Sequence, residues 1–187
     1  MKELSLNLLD IAENSVKAGA SLTQLLLTEA DGVLTFQVAD DGCGMTEEVL
    51  RGVTDPFYTT RTTRPVGLGL PLLRMAAEQT DGSMEVVSRH RDDHPTDHGT
   101  TVTAVFHTDH IDCPPVGDMT ATVTTLIQGH PDTDFLFVHR LPDGRTVELD
   151  TRQLREILGE VSLAEFEVLQ WITGHLTDQY NGQDGSE

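Results

Sequence analysis

Asp10-Ile-Ala-Glu-Asn14-Ser-Val-Lys17 lies inside a segment, residues 4–18, in which Leu4, Leu8, Ile11, Ala12 and Val16 recur at helical spacing, with Gly19 as a stop. The spacing predicts one helix. Asp10 and Asn14 are four residues apart and share a face, and Lys17 follows three further on. An amide oxygen such as that of Asn14 is a hard donor of the kind Mg²⁺ accepts. A carboxylate one turn earlier can orient or deprotonate an attacking water or hydroxyl, and a nearby lysine can neutralise a phosphate. Taken alone, the same pattern also describes a solvated helix face.

Outward from this helix, residues 21–29 and 33–39 read as strands around Ala30-Asp31-Gly32, with Leu34, Phe36 and Val38 alternating with Thr35 and Gln37. The second strand runs into Val38-Ala-Asp40-Asp41-Gly42-Cys43-Gly44-Met45. Two glycines at this spacing let a backbone turn sharply against a ligand. A carboxylate at a strand end can accept a hydrogen bond from an exocyclic amine such as that of adenine. An ordinary tight turn is the competing reading. Residues 46–53 suggest a short helix, and residues 54–67 a loop containing Asp55-Pro-Phe-Tyr-Thr-Thr-Arg61. Gly67-Leu68-Gly69-Leu70-Pro71 opens a helix over 68–80, with Pro71 in the first turn where it is tolerated. Glycines at a helix N-terminus expose N–H groups to phosphate oxygens, assisted by the helix dipole. The stretch is not a Walker A loop, since Gly-Lys-Ser/Thr is missing, nor a Rossmann fingerprint, since the third glycine is missing.

The remainder predicts strands near 84–89 and 100–106 flanking a polar His/Asp loop. Beyond Cys113-Pro114-Pro115 it predicts a helix over 117–128, strands near 134–140 and 145–149 around Asp143-Gly144, and helices over 151–159 and 163–176. The expected organisation is a core over 1–110, a small α+β unit over 116–178 suited to docking a partner, and a frayed polar tail over 179–187. His90, His94 and His98 recur every fourth residue, but Pro95 favours a solvated loop over a metal-binding helix stripe. His107, His110 and Cys113 are a weaker metal candidate. Cys43 is a small turn residue or a redox-sensitive thiol, and Trp171 is packing for the last helix in preference to a ligand platform.

The 187 residues carry 31 acidic and 12 basic side chains, a formal charge of -19. Nucleic-acid binding driven by Lys and Arg on phosphates is not expected, and neither is attraction to an acidic membrane surface. No apolar run approaches the ~20 residues of a membrane helix. No secretory leader follows Met1, and two isolated cysteines suit a reducing compartment, so a cytoplasmic protein is expected.

Together the motifs resemble the GHKL (Bergerat-fold) ATPase superfamily, which includes DNA gyrase, histidine kinases and MutL. Asp10-Ile-Ala-Glu-Asn14-Ser-Val-Lys-Ala-Gly-Ala resembles its N box, and is especially similar to that of MutL. Asp40-Asp-Gly42-Cys-Gly44 resembles its first glycine box, and Asp55-Pro-Phe-Tyr-Thr-Thr-Arg61 the F box of histidine kinases. Gly67-Leu-Gly69-Leu resembles the second glycine box, and Gly99-Thr100-Thr101-Val-Thr the closing glycine-led strand. The resemblance covers residues 4–107. It implies a two-layer α/β sandwich, a mixed sheet covered by helices, that binds ATP with Mg²⁺. It implies that Asn14 holds the metal, that Asp40 holds the adenine amine with Thr100 in support, and that Gly42 and Gly44 shape the adenine wall. Lys17, Arg61 and the backbone of Gly67, Leu68, Gly69 and Leu70 would face the phosphates, with Asp10 as the catalytic carboxylate.

Three departures bear on activity. The N box usually has Glu where this chain has Asp10, one methylene shorter, and a ~1 Å misplacement can cost on the order of a hundredfold in rate. Glu13 is an acid nearby but points about 100° away around the helix. The phosphoacceptor hairpin that histidine kinases carry ahead of the N box is not expected here, so any phosphoryl group would pass to a partner protein or to water. The chain is in this respect similar to stand-alone kinase-like proteins such as anti-sigma-factor serine kinases. Asp118-Met through Asp134-Phe, then Leu149-Asp-Thr-Arg, resembles the C-terminal unit of small ATP-binding proteins encoded beside iron-only hydrogenases. A regulatory or hydrogenase-related protein partner is therefore expected. Three functions compete: a protein kinase, an ATP-hydrolysing switch and a non-catalytic nucleotide sensor.

Overall fold

Alternation of buried and half-buried residues builds the centre of the molecule. In β1 (Leu22–Ala30) and β2 (Val33–Asp40) every second side chain is buried, with Leu25, Leu27, Leu34, Phe36 and Val38 on the inner face. The two strands are antiparallel, and the turn at Asp31-Gly32 has positive φ at both residues (53° and 74°), the geometry of a tight hairpin. The computed structural model describes residues 3–54 and 69–182. Over these residues β3 (Ser83–Arg89), β4 (Gly99–His107), β5 (Asp134–Arg140) and β6 (Thr146–Asp150) complete one six-stranded sheet in the order β3-β4-β2-β1-β5-β6. The sheet is mixed: β1 and β5 are parallel and the other neighbours antiparallel.

Helices α1 (Leu4–Lys17), α3 (Gly69–Gln79) and α4 (Met119–Gly129) bury their apolar faces against the sheet. Leu8 and Ile11 from α1, Leu73 and Ala77 from α3, and Val123 and Ile127 from α4 join Phe36, Phe106 and Phe137 in one core cluster. The short α2 (Glu47–Thr54) contributes Val53 to the same core. This is the α/β sandwich expected from the sequence. Each predicted strand and helix with described residues is present within a few residues of its expected bounds.

The segment set apart by sequence, residues 116–178, continues the sheet. β5 lies beside β1, from Leu22 opposite Asp134 to Thr28 opposite Arg140. α5 (Thr151–Leu158) is N-capped by Asp150, whose carboxylate accepts from the Arg152 N–H at 3.0 Å. α6 (Phe166–Tyr180) runs past the expected end at 176, because its last turn is anchored. The Gln179 side chain accepts from the Glu148 N–H at 2.9 Å and donates to the Glu148 carbonyl at 3.0 Å. Tyr180 reaches His139, which is 2% exposed and lies between the Tyr180 hydroxyl at 2.8 Å and the Glu29 carboxylate at 2.7 Å. Burial, then the negative charges of Glu29 and Asp118, push the Tyr180 hydroxyl well above its ordinary pKa. It is therefore a neutral hydrogen-bonding group that ties α6 to the sheet.

Candidate functional site

The strand ends of β2 and β4, the C-terminal half of α1 and the start of α3 enclose a cavity of about 380 Å³. Asn14, Lys17, Asp40, Gly44, Leu70 and Thr100 all line it, although they come from separate stretches of chain. Ile11, Val38, Met45, Val49 and Val102 supply an apolar wall, and Cys43 adds a thiol. An apolar cavity with a few convergent polar groups is the usual form of a small-molecule site.

Asp40 ends β2 opposite Thr100 of β4. Its carboxylate accepts from the Ser15 hydroxyl at 2.7 Å and from the Gly42 N–H at 2.9 Å. Two bonds leave a carboxylate with lone pairs for a further donor. Thr100 shares a hydrogen bond with the Ser88 hydroxyl at 2.7 Å, and Ser88 also accepts from the Met45 N–H at 2.7 Å. The loop after Asp40 is fastened along its length. Cys43 N–H donates to the Ala18 carbonyl at 2.9 Å, Arg91 N–H to the Cys43 carbonyl at 2.9 Å, and His98 Nδ1 lies 2.5 Å from the Gly42 carbonyl oxygen. His98 is thus a brace for this loop, which corrects the expectation of a purely solvated hairpin tip.

Asp41 points elsewhere. It accepts from the Ser21 N–H at 2.8 Å, the Leu22 N–H at 3.0 Å and the Ser21 hydroxyl. Burial raises its pKa, but these hydrogen bonds outweigh burial and hold it below the ordinary carboxylate value. Its role is to anchor the start of β1.

Close approach explains the glycines of this region. A Cβ on Gly44 would stand 2.0 Å from the Arg89 carbonyl oxygen, and one on Gly99 1.9 Å from the Asp40 carbonyl oxygen. Gly99 also has φ +141°. Gly99→Ala is therefore expected to destabilise the protein by about 3 kcal/mol or more, since neither the clash nor the backbone strain can relax cheaply. Urea unfolding measures this, and a loss below about 1 kcal/mol would show that β4 shifts without penalty.

Asp10 is exposed on α1 and is not part of the cavity lining. It stands beside the start of α3, where a Cβ on Gly69 would lie 3.5 Å from the Asp10 Cβ. The N-terminal end of α3, with its positive dipole, therefore adjoins both the carboxylate and the cavity. Glu13 is turned away, as its position on the helix predicts, and both its oxygens meet His130 Nε2 at 2.9 and 3.0 Å. Gly42 bonds Asp40 without lining the cavity. Arg61, Gly67, Leu68 and the Asp55–Arg61 motif lie outside the described residues.

Ser15 and Ser88, which brace Asp40 and Thr100 at the cavity, are the residues that sequence reasoning missed. Ser15 follows Asn14 directly and could have been found from its place on the inner side of α1. Ser88 has no sequence signal, since only the β3–β4 register sets it opposite Thr100. Among the described residues no group of three or more His, Cys, Asp or Glu is placed to hold a metal ion. His107 is used structurally, with Nδ1 2.9 Å from the Thr80 carbonyl oxygen.

Comparison with known proteins gives the family and the fold. Residues 1–110 match the model of the histidine kinase-, DNA gyrase B- and HSP90-like ATPase family. The sensor protein KdpD of Clostridium acetobutylicum is 28% identical over 94 residues, 48% of this chain and 10% of that protein. The sensor histidine kinase ZraS of Klebsiella oxytoca is 31% identical over 88 residues, 47% of this chain and 19% of that protein. The chain thus spans between a tenth and a fifth of the length of these relatives. The Aquifex aeolicus MutL ATPase domain complexed with ADP superposes with a TM-score of 0.53 at 12% identity, covering 84% of this chain and 69% of that one. The N-terminal domain of a DNA repair protein gives a TM-score of 0.53 at 17% identity, covering 79% of this chain and 52% of that one. These likenesses concern the fold. With its residues 1–110 matched, the chain belongs to the histidine kinase-, DNA gyrase B- and HSP90-like ATPase family.

Proposed function

We propose that residues 1–110 bind ATP with Mg²⁺ and that the protein passes the γ-phosphoryl group to a side chain of a partner protein in the cytoplasm. The observation that supports this best is the convergence of Asn14, Lys17, Asp40 and Thr100 on one cavity beside the N-terminus of α3. Asp40, already oriented by Ser15 and Gly42, has acceptor capacity for the adenine amine, and the apolar wall suits a base. Lys17 and the α3 N-terminus supply positive potential for phosphates in a chain that is otherwise strongly acidic. Arg61 and the Gly67-Leu68 backbone belong to the phosphate side in the same proposal.

The residues present fit Mg²⁺ as it is usually held beside a nucleotide, by one or two protein oxygens with phosphates and water completing the shell. Asn14 lines the cavity and offers an amide oxygen that no hydrogen bond occupies among the described residues. Bound there, the ion would neutralise phosphate charge. Asp10, next to the α3 N-terminus, is the proposed acceptor for the proton of the attacking group.

Residues 116–178 are the proposed partner-docking unit, with a regulatory or hydrogenase-related protein as the expected class. A chain of contacts joins it to the cavity. Glu13, next to Asn14, meets His130 at the end of α4. Arg155 of α5 holds the following turn through the Pro131 and Thr133 carbonyls at 2.6 and 3.1 Å and the Asp134 carboxylate at 2.7 Å.

One observation favours a second reading, a nucleotide-dependent switch with slow or no turnover. Asp10 is short for its position and stands outside the cavity lining. Radiolabelled ATP with candidate partners separates the two. Label on a partner supports the kinase, free phosphate alone supports a hydrolytic switch, and binding with neither product leaves a sensor. Under either catalytic reading, Asp10→Asn is expected to cut turnover about a hundredfold or more while ATP affinity stays within about twofold. Single-turnover assays and calorimetry check this. Unchanged turnover would remove Asp10 from its assigned role.

A further inference from the structure

Far from the nucleotide cavity in the fold, at the β6 edge of the sheet, α5 and α6 frame a second hollow of about 420 Å³. Its apolar floor includes Leu136, Leu149 and Leu154. Two large apolar side chains at its mouth face solvent, Ile157 at 81% and Trp171 at 51% exposure. Leaving both in water forfeits burial that either could gain on association. Trp171 is stacked on His175, with ring centroids 4.6 Å apart and planes 13° from parallel, so it presents a pre-ordered flat surface. Tryptophan is among the side chains enriched at the hot spots of protein interfaces.

We propose that this groove docks a basic amphipathic helix of a partner protein. Charge selects the occupant. Glu148, Asp150 and Asp178 line the hollow, and among the described residues no Lys or Arg does. Asp150 is neutralised by Arg152 at 2.8 Å, which leaves Glu148 and Asp178 to meet cations. A second copy of the chain would bring the same acidic rim and a formal charge of -19, so self-association through this face is opposed electrostatically. Shape selects the helix. The outward N–H and C=O of Glu148 in the middle of β6 are taken by the Gln179 side chain, so an added strand finds the edge blocked. Two flanking helices with an apolar floor instead offer a trough for a third helix. The inference deepens the docking role proposed for residues 116–178 and rests on that part of the reading, not on nucleotide binding.

The test uses the full chain and a fluorescein-labelled 18-residue Leu/Lys amphipathic helical peptide, with the matching Leu/Glu peptide as the charge control. The chain has one tryptophan, so its emission reports on the groove. The Leu/Lys peptide is expected to bind and blue-shift Trp171 emission, the Leu/Glu peptide to do neither, and Ile157→Ser, which removes the apolar contact without adding charge, to weaken binding at least tenfold by anisotropy. Ile157 is exposed enough that the variant should fold, as thermal melting will show. Ile157→Ala replaces it, with the same expected loss, if it does not. The proposal is overturned by equal binding of the variant, by binding without a Trp171 shift, by no binding at all, or by peptide-free dimerisation that shifts Trp171 in ultracentrifugation samples. Mg-ATP affinity of the same sample is measured separately. A chain that binds peptide but no ATP keeps the groove and loses the nucleotide reading, and the converse result does the opposite.

Discussion

Asp40→Asn is expected to weaken ATP binding about a hundredfold by isothermal calorimetry, a loss of the size a hydrogen bond to a charged group can carry. The argument is one of donors and acceptors. One Asp40 oxygen takes the Gly42 N–H at 2.9 Å and the other the Ser15 hydroxyl at 2.7 Å. Asparagine can keep the first bond through its oxygen and turn its NH₂ toward Ser15, whose hydroxyl can accept. The fold is then retained. However, the face proposed to offer a carboxylate to the adenine amine would now offer N–H to N–H. The same variant should lose discrimination between ATP and inosine triphosphate, which has a carbonyl in place of that amine. ATP affinity within about twofold of wild type would remove Asp40 from the adenine site.

Asn14→Ala is the second large effect. It is expected to abolish the Mg²⁺-dependent part of ATP binding, so that affinities with Mg²⁺ and with a chelator become equal. Asn14 is half-exposed on α1 and lines the cavity. Alanine is the best helix former, so folding should be unharmed or slightly strengthened. The loss can thus be assigned to the missing oxygen and not to a damaged helix. A surviving Mg²⁺ dependence would place the metal on another residue. The two variants also separate from each other: Asp40→Asn should remain Mg²⁺-dependent, and Asn14→Ala should retain base preference.

The elements of this protein were legible because they rest on short-range rules. Leu8, Ile11 and Ala12 recur on one side of α1, and Leu34, Phe36 and Val38 alternate along β2. Asp31-Gly32 tolerates the positive φ that a tight hairpin needs at both residues. The motifs that fall on described residues were legible for the same reason, each being a local answer to a local requirement, such as the glycine that Gly99 must be when its Cα passes the Asp40 carbonyl. α6 was read short because its last turn depends on Gln179 finding Glu148, 31 residues away in sequence.

By itself, then, the sequence determined the helices, the strands, the family and the residues Asn14, Lys17, Asp40 and Thr100 as candidates for one site. Tertiary structure alone decided that β5 lies against β1, which makes residues 116–178 part of the same sheet. It alone placed Ser15 and Ser88 behind Asp40 and Thr100, put His98 on the Gly42 carbonyl, and opened a groove beside Trp171. The physical reason is range. Helical period, alternation and turn chemistry act over a few residues, whereas parallel pairing and side-chain bracing are set only when distant segments meet, and no local pattern carries that information.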